Sequence, residues 1–289
     1  MEDYEKSGRI AAEALEFGRK LVKVDASLLE VAEKIEEKII SLDGKLACPV
    51  NISINHIAAH YTPYPDDKTT FKEGEIVKVD VGVHVNGAIG DTACTIDLGD
   101  NKEILEASEK ALNEALKMFT PGTKIGEIGK VIQKTIKEYG FVPIINLSGH
   151  QMDLYKLHTG TNIPNYDNGD PNELEEGQVF AVEPFATNGE GKVIDGKPSG
   201  IYRLDNIKPV RDPKIRNMIR FIQEEYNELP FAKRWLIKKF PNTNFALTLL
   251  EKQGILYHYP QLPEKTKGLV SQAEHTVIVK EKPEITTKI

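Results

Sequence analysis

The sequence predicts an α+β fold of two similar halves, with a helical segment inserted near the end of the second half. Strand-like segments alternate with amphipathic helices along the chain. The segment EGEIVKVD, from Glu73, resembles EGQVFAVE, from Glu176, and an Asn-Gly pair follows each. The alignment places Asp80 103 positions before Glu183, and His60 lies 98 positions before His158. This agreement in order and spacing predicts an internal duplication related by a pseudo-twofold axis.

Each half opens with helices. Apolar residues at helical spacing predict one pair of helices in residues 5–22 and 27–44, and a second pair in residues 101–122 and 124–140. Strand segments complete each half, and they are predicted as a short strand and loop in 48–67, a hairpin in 73–96, a strand-and-loop region reaching 191, and a closing strand in 269–282. Residues 212–256 are predicted to form three helices.

Composition is that of a soluble globular protein, with 289 residues, 40% hydrophobic and 28% charged. No apolar run is long enough for a transmembrane helix, no signal peptide is visible, and two cysteines fit a reducing cytoplasm. Residues 211–252 contain nine basic and five acidic residues, which give a net charge of +4. Since the whole chain has a net charge of −7, the remaining residues carry −11. This shift predicts a subdomain, which we place at 191–254, with 1–190 and 255–289 forming the main domain.

Two aspartates lie inside the valine-rich hairpin. If Asn86 and Gly87 form a two-residue turn, Gly82 faces Asp91 and Asp80 faces Ala93. Side chains alternate across a strand, so both aspartates share one face as diagonal neighbours, about 7–8 Å apart at the backbone. Two carboxylates on a half-buried face repel each other and lose hydration, and a multivalent cation would remove both costs.

The second half contains matching acids. Glu183 in VFAVEPF and Glu274 in SQAEHTVIV are strand acids flanked by apolar residues. Each acid taken singly is also compatible with a solvated edge position. Three or four carboxylates with an imidazole suit a pair of divalent first-row metals, which Mn, Fe, Co or Zn could supply.

Five motifs carry a resemblance to a known family. NHIAAHYTP, KVDVGVHVNGAIGDTA, NLSGHQMDLYKLHTG, VFAVEPFATNGEG and QAEHTVIV are similar to successive motifs of the methionine aminopeptidases. The helical segment between the fourth and fifth motifs resembles that of the type 2 enzymes of archaea and eukaryotes. The resemblance implies a pita-bread fold, two pseudo-symmetric α/β halves around a curved antiparallel sheet, with a winged-helix-like insert.

The resemblance also implies a set of metal ligands. Two divalent metal ions would be held by Asp80, Asp91, His150, Glu183 and Glu274. Asp80 would bind one metal, His150 and Glu183 the other, and Asp91 with Glu274 would bridge them. His150 in LSGHQ is assigned mostly on the family match, because a single histidine in such a segment is more often a loop or core residue.

The implied reaction is removal of the N-terminal methionine from nascent chains and peptides that have a small second residue. A metal-bridging hydroxide would attack the first peptide bond, and Glu183 would carry its proton to the leaving amine. His60 would orient the substrate and His158 would stabilise the oxyanion. Ile201 and Tyr259 match positions around the methionine pocket. The protein is expected to act as a monomer in the cytoplasm, without membrane contact.

Three alternatives remain at this point. A prolidase or aminopeptidase P would share the fold, although those enzymes usually carry a large N-terminal domain that this chain has no room for before Asp80. A non-catalytic relative that binds a ribosome, RNA or chromatin would usually lack some ligands, yet the basic insert keeps ribosome contact open. A metal-free creatinase-like enzyme would not need this set of acids.

Overall fold

A computed structural model describes residues 1–288. The described residues form seven helices: α1 (Glu2–Leu21), α2 (Leu28–Ser41), α3 (Lys102–Leu116), α4 (Ile125–Glu138), α5 (Pro213–Tyr226), α6 (Lys233–Ile237) and α7 (Thr243–Lys252). They also form seventeen strands: β1 (Lys45–Leu46), β2 (Asn51–Ile54), β3 (Ile57–Ala59), β4 (Ile76–Val85), β5 (Ala88–Asp97), β6 (Val142–Pro143), β7 (Ser148–Met152), β8 (Asn162–Pro164), β9 (Val179–Val182), β10 (Phe185–Thr187), β11 (Pro198–Leu204), β12 (Phe231–Ala232), β13 (Leu256–Pro260), β14 (Leu262–Pro263), β15 (Val270–Gln272), β16 (His275–Ile278) and β17 (Glu284–Ile285).

The first half packs two helices against the hairpin of β4 and β5. The predicted two-residue turn is confirmed, because Asn86 and Gly87 both have positive φ and β4 pairs with β5 in the predicted register. The valines of β4 face α1 and α2 and are buried with them in one core cluster. The other face of β4, which carries Asp80 and Gly82, is therefore turned away from this core.

The second half repeats this arrangement. Helix α4 packs against β8 and β6, and helix α3 packs against β15 and β10. The pair thus covers a five-stranded antiparallel sheet, β17-β16-β9-β7-β8, and a three-stranded sheet, β15-β10-β6, and the apolar residues between them form a second core cluster. The two predicted helix pairs and the duplication they indicate are thus confirmed.

Glu183 and Glu274 do not lie inside strands as predicted. Glu183 falls between β9 and β10, and Glu274 falls between β15 and β16. Pro184 follows Glu183 and has no N–H to donate, which interrupts the ladder at this point. Because Val182 pairs with His275 and Phe185 with Gln272, the two interruptions face each other. Neither acid therefore has to follow the alternation of side chains along a regular strand, and both lie at the same break between the two sheets.

Residues 48–67 also differ from the prediction of one strand and a loop. They form β2 and β3, separated at Asn55, whose φ of 51° lies in the left-handed region that asparagine tolerates. Strand β2 pairs with β4, whereas β3 pairs with β14. His60 follows directly after β3.

The three predicted helices of the basic segment are confirmed as α5, α6 and α7. They share a third core cluster with the antiparallel sheet β12-β11-β13. The insert boundaries of 191 and 254 remain a prediction. Strand β13, which pairs with β11 in this sheet, begins at Leu256, after the predicted boundary. None of the helices among residues 1–288 has the length and apolar character that a membrane span requires.

Candidate metal centre

A cavity of about 220 Å³ lies where the two halves and the helical insert meet. All nine predicted site residues line it: His60, Asp80, Asp91, His150, His158, Glu183, Ile201, Tyr259 and Glu274. They come from nine different strands and loops, spread over positions 60 to 274 of the chain.

The hairpin supplies two of the acids, and a neighbouring glycine makes room for them. Asp80 pairs with Ala93 and Asp91 pairs with Gly82 across the β4–β5 ladder. A side-chain carbon at Gly82 would stand 2.6 Å from Cys48 Sγ and 3.4 Å from Asp91 Oδ1. Glycine therefore keeps open the space toward which the Asp91 carboxylate points.

The third acid reaches the hairpin through a bridge between the halves. Ala93 and Glu274 exchange two backbone hydrogen bonds, of 3.3 and 3.0 Å. Two residues before Ala93 and two residues after Glu274, the Asp91 N–H donates to Thr276 Oγ1 at 2.7 Å. Strand β5 is thereby fixed along the interrupted edge that carries Glu274.

His150 and Glu183 complete the group from the second half. His150 lies on β7 opposite Ala181 of β9, two residues before Glu183. Its Nε2 is 3.7 Å from Glu183 Oε1 and 3.9 Å from Asp91 Oδ2. These distances are too long for hydrogen bonds and leave a gap between the imidazole and the two carboxylates.

Burial and mutual repulsion dominate the electrostatics of the four acids. Burial raises the pKa of Asp80 to about 6. Burial, and then the charge of Asp80, raise the pKa of Asp91 well above its usual range. Burial is also the main reason that the pKa values of Glu183 and Glu274 are raised, and the neighbouring aspartates add to it. The pKa of His150 is lowered by burial and by His158, so its imidazole is neutral.

The donor set fits divalent metal ions. Ligand-type atoms of Asp91, His150 and Glu274 lie within 4.8 Å of one another. Asp91 Oδ1 is buried and accepts no hydrogen bond, and none of the four carboxylates pairs with a lysine or arginine among the described residues. Buried carboxylates in this state are stable when a cation joins them, and a neutral imidazole among carboxylates suits first-row metals.

Two histidines stand above this group. The rings of His158 and His150 have centroids 4.1 Å apart, and burial lowers the pKa of His158 to about 4. His60 Nδ1 is 3.1 Å from the carbonyl oxygen of Pro260, and its ring packs edge-on against Tyr259. Both histidines, which the duplication places at related positions of the two halves, line the cavity.

Gln272 was not singled out from the sequence. Its amide Nε2 lies 3.4 Å from Asp80 Oδ2, 3.4 Å from Glu183 Oε2 and 3.3 Å from Glu274 Oε2. The signal was its position two residues before Glu274, which alternation in a strand would place on the same face. Cys48 also lines the cavity, although the sequence indicated no role for it.

Comparison with known proteins gives the family. The model of metallopeptidase family M24 matches residues 2–281. A methionine aminopeptidase of Pyrococcus abyssi is 48% identical over 286 residues, which cover 98% of this chain and 97% of the relative.

Solved structures agree in fold. The chain is similar to a thermophilic Arx1, with a TM-score of 0.86 and 17% identity over 98% of this chain and 89% of that one. A methionine aminopeptidase from Thermotoga maritima has a TM-score of 0.72 and 24% identity, covering 100% and 96%. The predicted pita-bread fold is therefore confirmed. With its family model matched almost end to end, this chain belongs to metallopeptidase family M24, among the methionine aminopeptidases.

Proposed function

We propose that this protein removes the N-terminal methionine from nascent chains and peptides that have a small second residue, in a metal-dependent reaction. One observation carries the proposal: four carboxylates and one neutral imidazole converge at the base of a cavity whose walls hold two further histidines. The relatives named methionine aminopeptidases match over nearly the whole length of both chains.

Two divalent ions would be held by Asp80, Asp91, His150, Glu183 and Glu274. When bound, such ions lower the pKa of a coordinated water and polarise the substrate carbonyl. Burial, and then repulsion from the neighbouring carboxylates, raise the pKa values of Asp91 and Glu274 in the metal-free protein, and bound cations would offset both costs. Mn, Fe, Co and Zn all accept this donor set.

His60 would accept a hydrogen bond from the substrate. A carbonyl oxygen only accepts, so the contact with Pro260 requires the proton on Nδ1 of His60. Burial lowers the pKa of His60, which keeps the ring neutral and leaves a lone pair on Nε2. That nitrogen is suited to hold a peptide N–H and so to fix the scissile bond in the cavity.

His158 would donate a hydrogen bond to the carbonyl oxygen as negative charge develops there. Its pKa of about 4 means that it stays neutral at pH 7 and donates without carrying a charge. Glu183, beside the His150 imidazole, would take a proton from water and pass it to the leaving amine. Ile201 and Tyr259 would contact the methionine side chain.

Methionine release from Met-Ala-Ser tests the proposal. Activity is expected to disappear after chelation, to return when Mn²⁺ or Co²⁺ is added, and to be lost in Asp91→Asn. Retention of full activity by Asp91→Asn would contradict the metal assignment. Release of alanine from Ala-Pro peptides in preference to methionine would instead identify an Xaa-Pro enzyme of the same fold.

The basic insert supports a second, separate role, contact with the ribosome during synthesis of the substrate chains. Its surface carries a net charge of +4 over residues 211–252, and Phe245 on α7 is 67% exposed. Cosedimentation with ribosomes that weakens as salt rises is expected. Failure to cosediment at low salt would end this proposal and leave the aminopeptidase proposal intact.

A further inference from the structure

A buried cluster joins the helical insert to the first half beside the cavity. Arg234, on α6 of the insert, is 1% exposed and forms an ion pair with Glu36 of α2. Trp235 Nε1 donates to the other oxygen of Glu36 at 3.0 Å. Arg234 also donates to Thr62 Oγ1. A charge pair this deeply buried is weak evidence for stability by itself, so its geometric consequence is the informative part.

On the first-half side, the cluster holds the backbone of one residue in the cavity wall. The Val50 N–H donates to Glu36 Oε1 at 3.4 Å. Thr62 Oγ1 donates to the Val50 carbonyl oxygen at 2.9 Å. Val50 lies between Pro49 and Asn51, which both line the cavity. Glu36 directly, and Arg234 through Thr62, therefore contact the backbone of this wall, although neither residue lines the cavity.

On the insert side, the same arginine is attached to the opposite wall. Arg234 comes two residues after Ala232, and Ala232 pairs with Ile201 of β11. Ile201 in turn pairs with Tyr259 of β13, and both side chains line the cavity. The ion pair between Glu36 and Arg234 thus links the two walls. Glu36 is joined to one wall through Val50, and Arg234 is joined to the other through Ala232.

We propose that Glu36 and Arg234 are positioning residues which fix the width of the cavity and so determine how well it accepts the unbranched methionine side chain. This inference rests on the proposed aminopeptidase function. It assigns substrate selection to a contact between the insert and the first half, outside the residues that touch substrate or metal.

The test compares Glu36→Gln and Arg234→Lys with a matched control. Glu36→Gln keeps the shape of the side chain and an acceptor oxygen but removes the charge. Arg234→Lys keeps the charge but loses the planar guanidinium group. Lys238→Met is the control, because Lys238, directly after α6, pairs through Nζ with Glu33 Oε1 of α2 at 2.7 Å, but with 67% of the lysine side chain exposed. KM, kcat and the metal Kd are measured, with peptides that begin with methionine, norleucine or leucine.

The expected result is a rise in KM of about tenfold for both cluster variants, because a small displacement of a binding wall is costly. The kcat value stays within about twofold and the metal Kd is unchanged, because the variants lose binding energy that the substrate and the transition state share equally. Discrimination between methionine and leucine falls. The emission of Trp235, the single tryptophan, shifts in the same variants. Lys238→Met changes none of these quantities.

An unchanged KM and unchanged discrimination in a folded Glu36→Gln protein would overturn the inference. A fall in kcat with weaker metal binding would also overturn it, because it would place the effect at the metal centre. If the wild-type protein released no methionine, the proposed function would fail separately. Calorimetric titration of free methionine would then decide the inference, with weaker binding to Glu36→Gln supporting it and equal binding refuting it.

Discussion

Replacing Asp80 by asparagine is expected to stabilise the metal-free protein. In the folded chain, burial raises the pKa of this carboxyl from 3.8 to about 6. A rise of this size corresponds to about 3 kcal/mol of folding free energy, because each pKa unit is about 1.4 kcal/mol. The cost arises from holding a carboxylate away from water with no cation beside it.

The sign of the pH dependence follows from the direction of that pKa. Between about pH 4 and pH 6 the folded metal-free protein binds more protons at Asp80 than the unfolded chain does. The stability associated with this group is complete below pH 3.8 and is lost as the pH rises through about 6. Asparagine cannot ionise, so the advantage of Asp80→Asn grows over the same interval and reaches about 3 kcal/mol at pH 7.5.

Calorimetric unfolding in excess chelator at pH 5 and pH 7.5 measures the difference between the two proteins. At roughly 2–4 °C per kcal/mol, the melting temperature of the variant is expected to lie about 6–12 °C above that of the wild type at pH 7.5. Asp100→Asn, at an exposed position after β5, serves as the control and should match the wild type.

Saturating Mn²⁺ is expected to reverse the order. A ligand present at 1,000 times its Kd stabilises the state that binds it by about 4.1 kcal/mol, which exceeds the roughly 3 kcal/mol advantage of the variant, and the wild type retains the full set of proposed ligands. The reasoning would be refuted if Asp80→Asn were less stable than the wild type in chelator at pH 7.5, or if the difference did not grow between the two pH values.

Three further predictions concern residues around the metal centre. Gln272→Met should weaken metal binding by about 10- to 100-fold in calorimetric titration, because the Gln272 amide faces three proposed ligands. An unchanged metal Kd would show that Gln272 does not position these ligands. Gly82→Ala should cost about 1–3 kcal/mol of stability, since its Cβ would meet Cys48 Sγ at 2.6 Å, and Cys48→Ala in the same chain should recover most of that loss. His158→Gln should lower kcat by about 10²–10³-fold with little change in metal Kd, and a kcat equal to that of the wild type would remove His158 from the mechanism. Because the pKa of His158 is about 4, the pH profile of the wild type should show no ionisation of this residue above pH 5.

The hairpin could be predicted in detail because its information is local. The Asn86-Gly87 turn fixes the register, the register fixes which residues share a face, and the valines identify the buried face. The diagonal arrangement of Asp80 and Asp91 followed from those three facts. The duplication likewise indicated the second half, because similar segments build similar local structure.

The interruptions at Glu183 and Glu274 could not be read in the same way. Apolar residues on both sides of each acid suggested continuous strands. In the structure, β9 and β16 belong to the five-stranded sheet and β10 and β15 to a three-stranded sheet, so the strands break at the two acids. Which strands pair across the chain depends on long-range packing that a sequence segment does not encode locally. The cluster of Glu36, Arg234 and Thr62 was missed for the same reason, since its members lie up to 198 positions apart.

The most direct test of the account is a crystal of the Mn²⁺-loaded protein soaked with methionine and measured at the manganese absorption edge. The account predicts anomalous density in contact with Asp80, Asp91, His150, Glu183 and Glu274, and a methionine side chain against Ile201 and Tyr259. Manganese bound elsewhere, or no anomalous density among these five residues at saturating Mn²⁺, would contradict it.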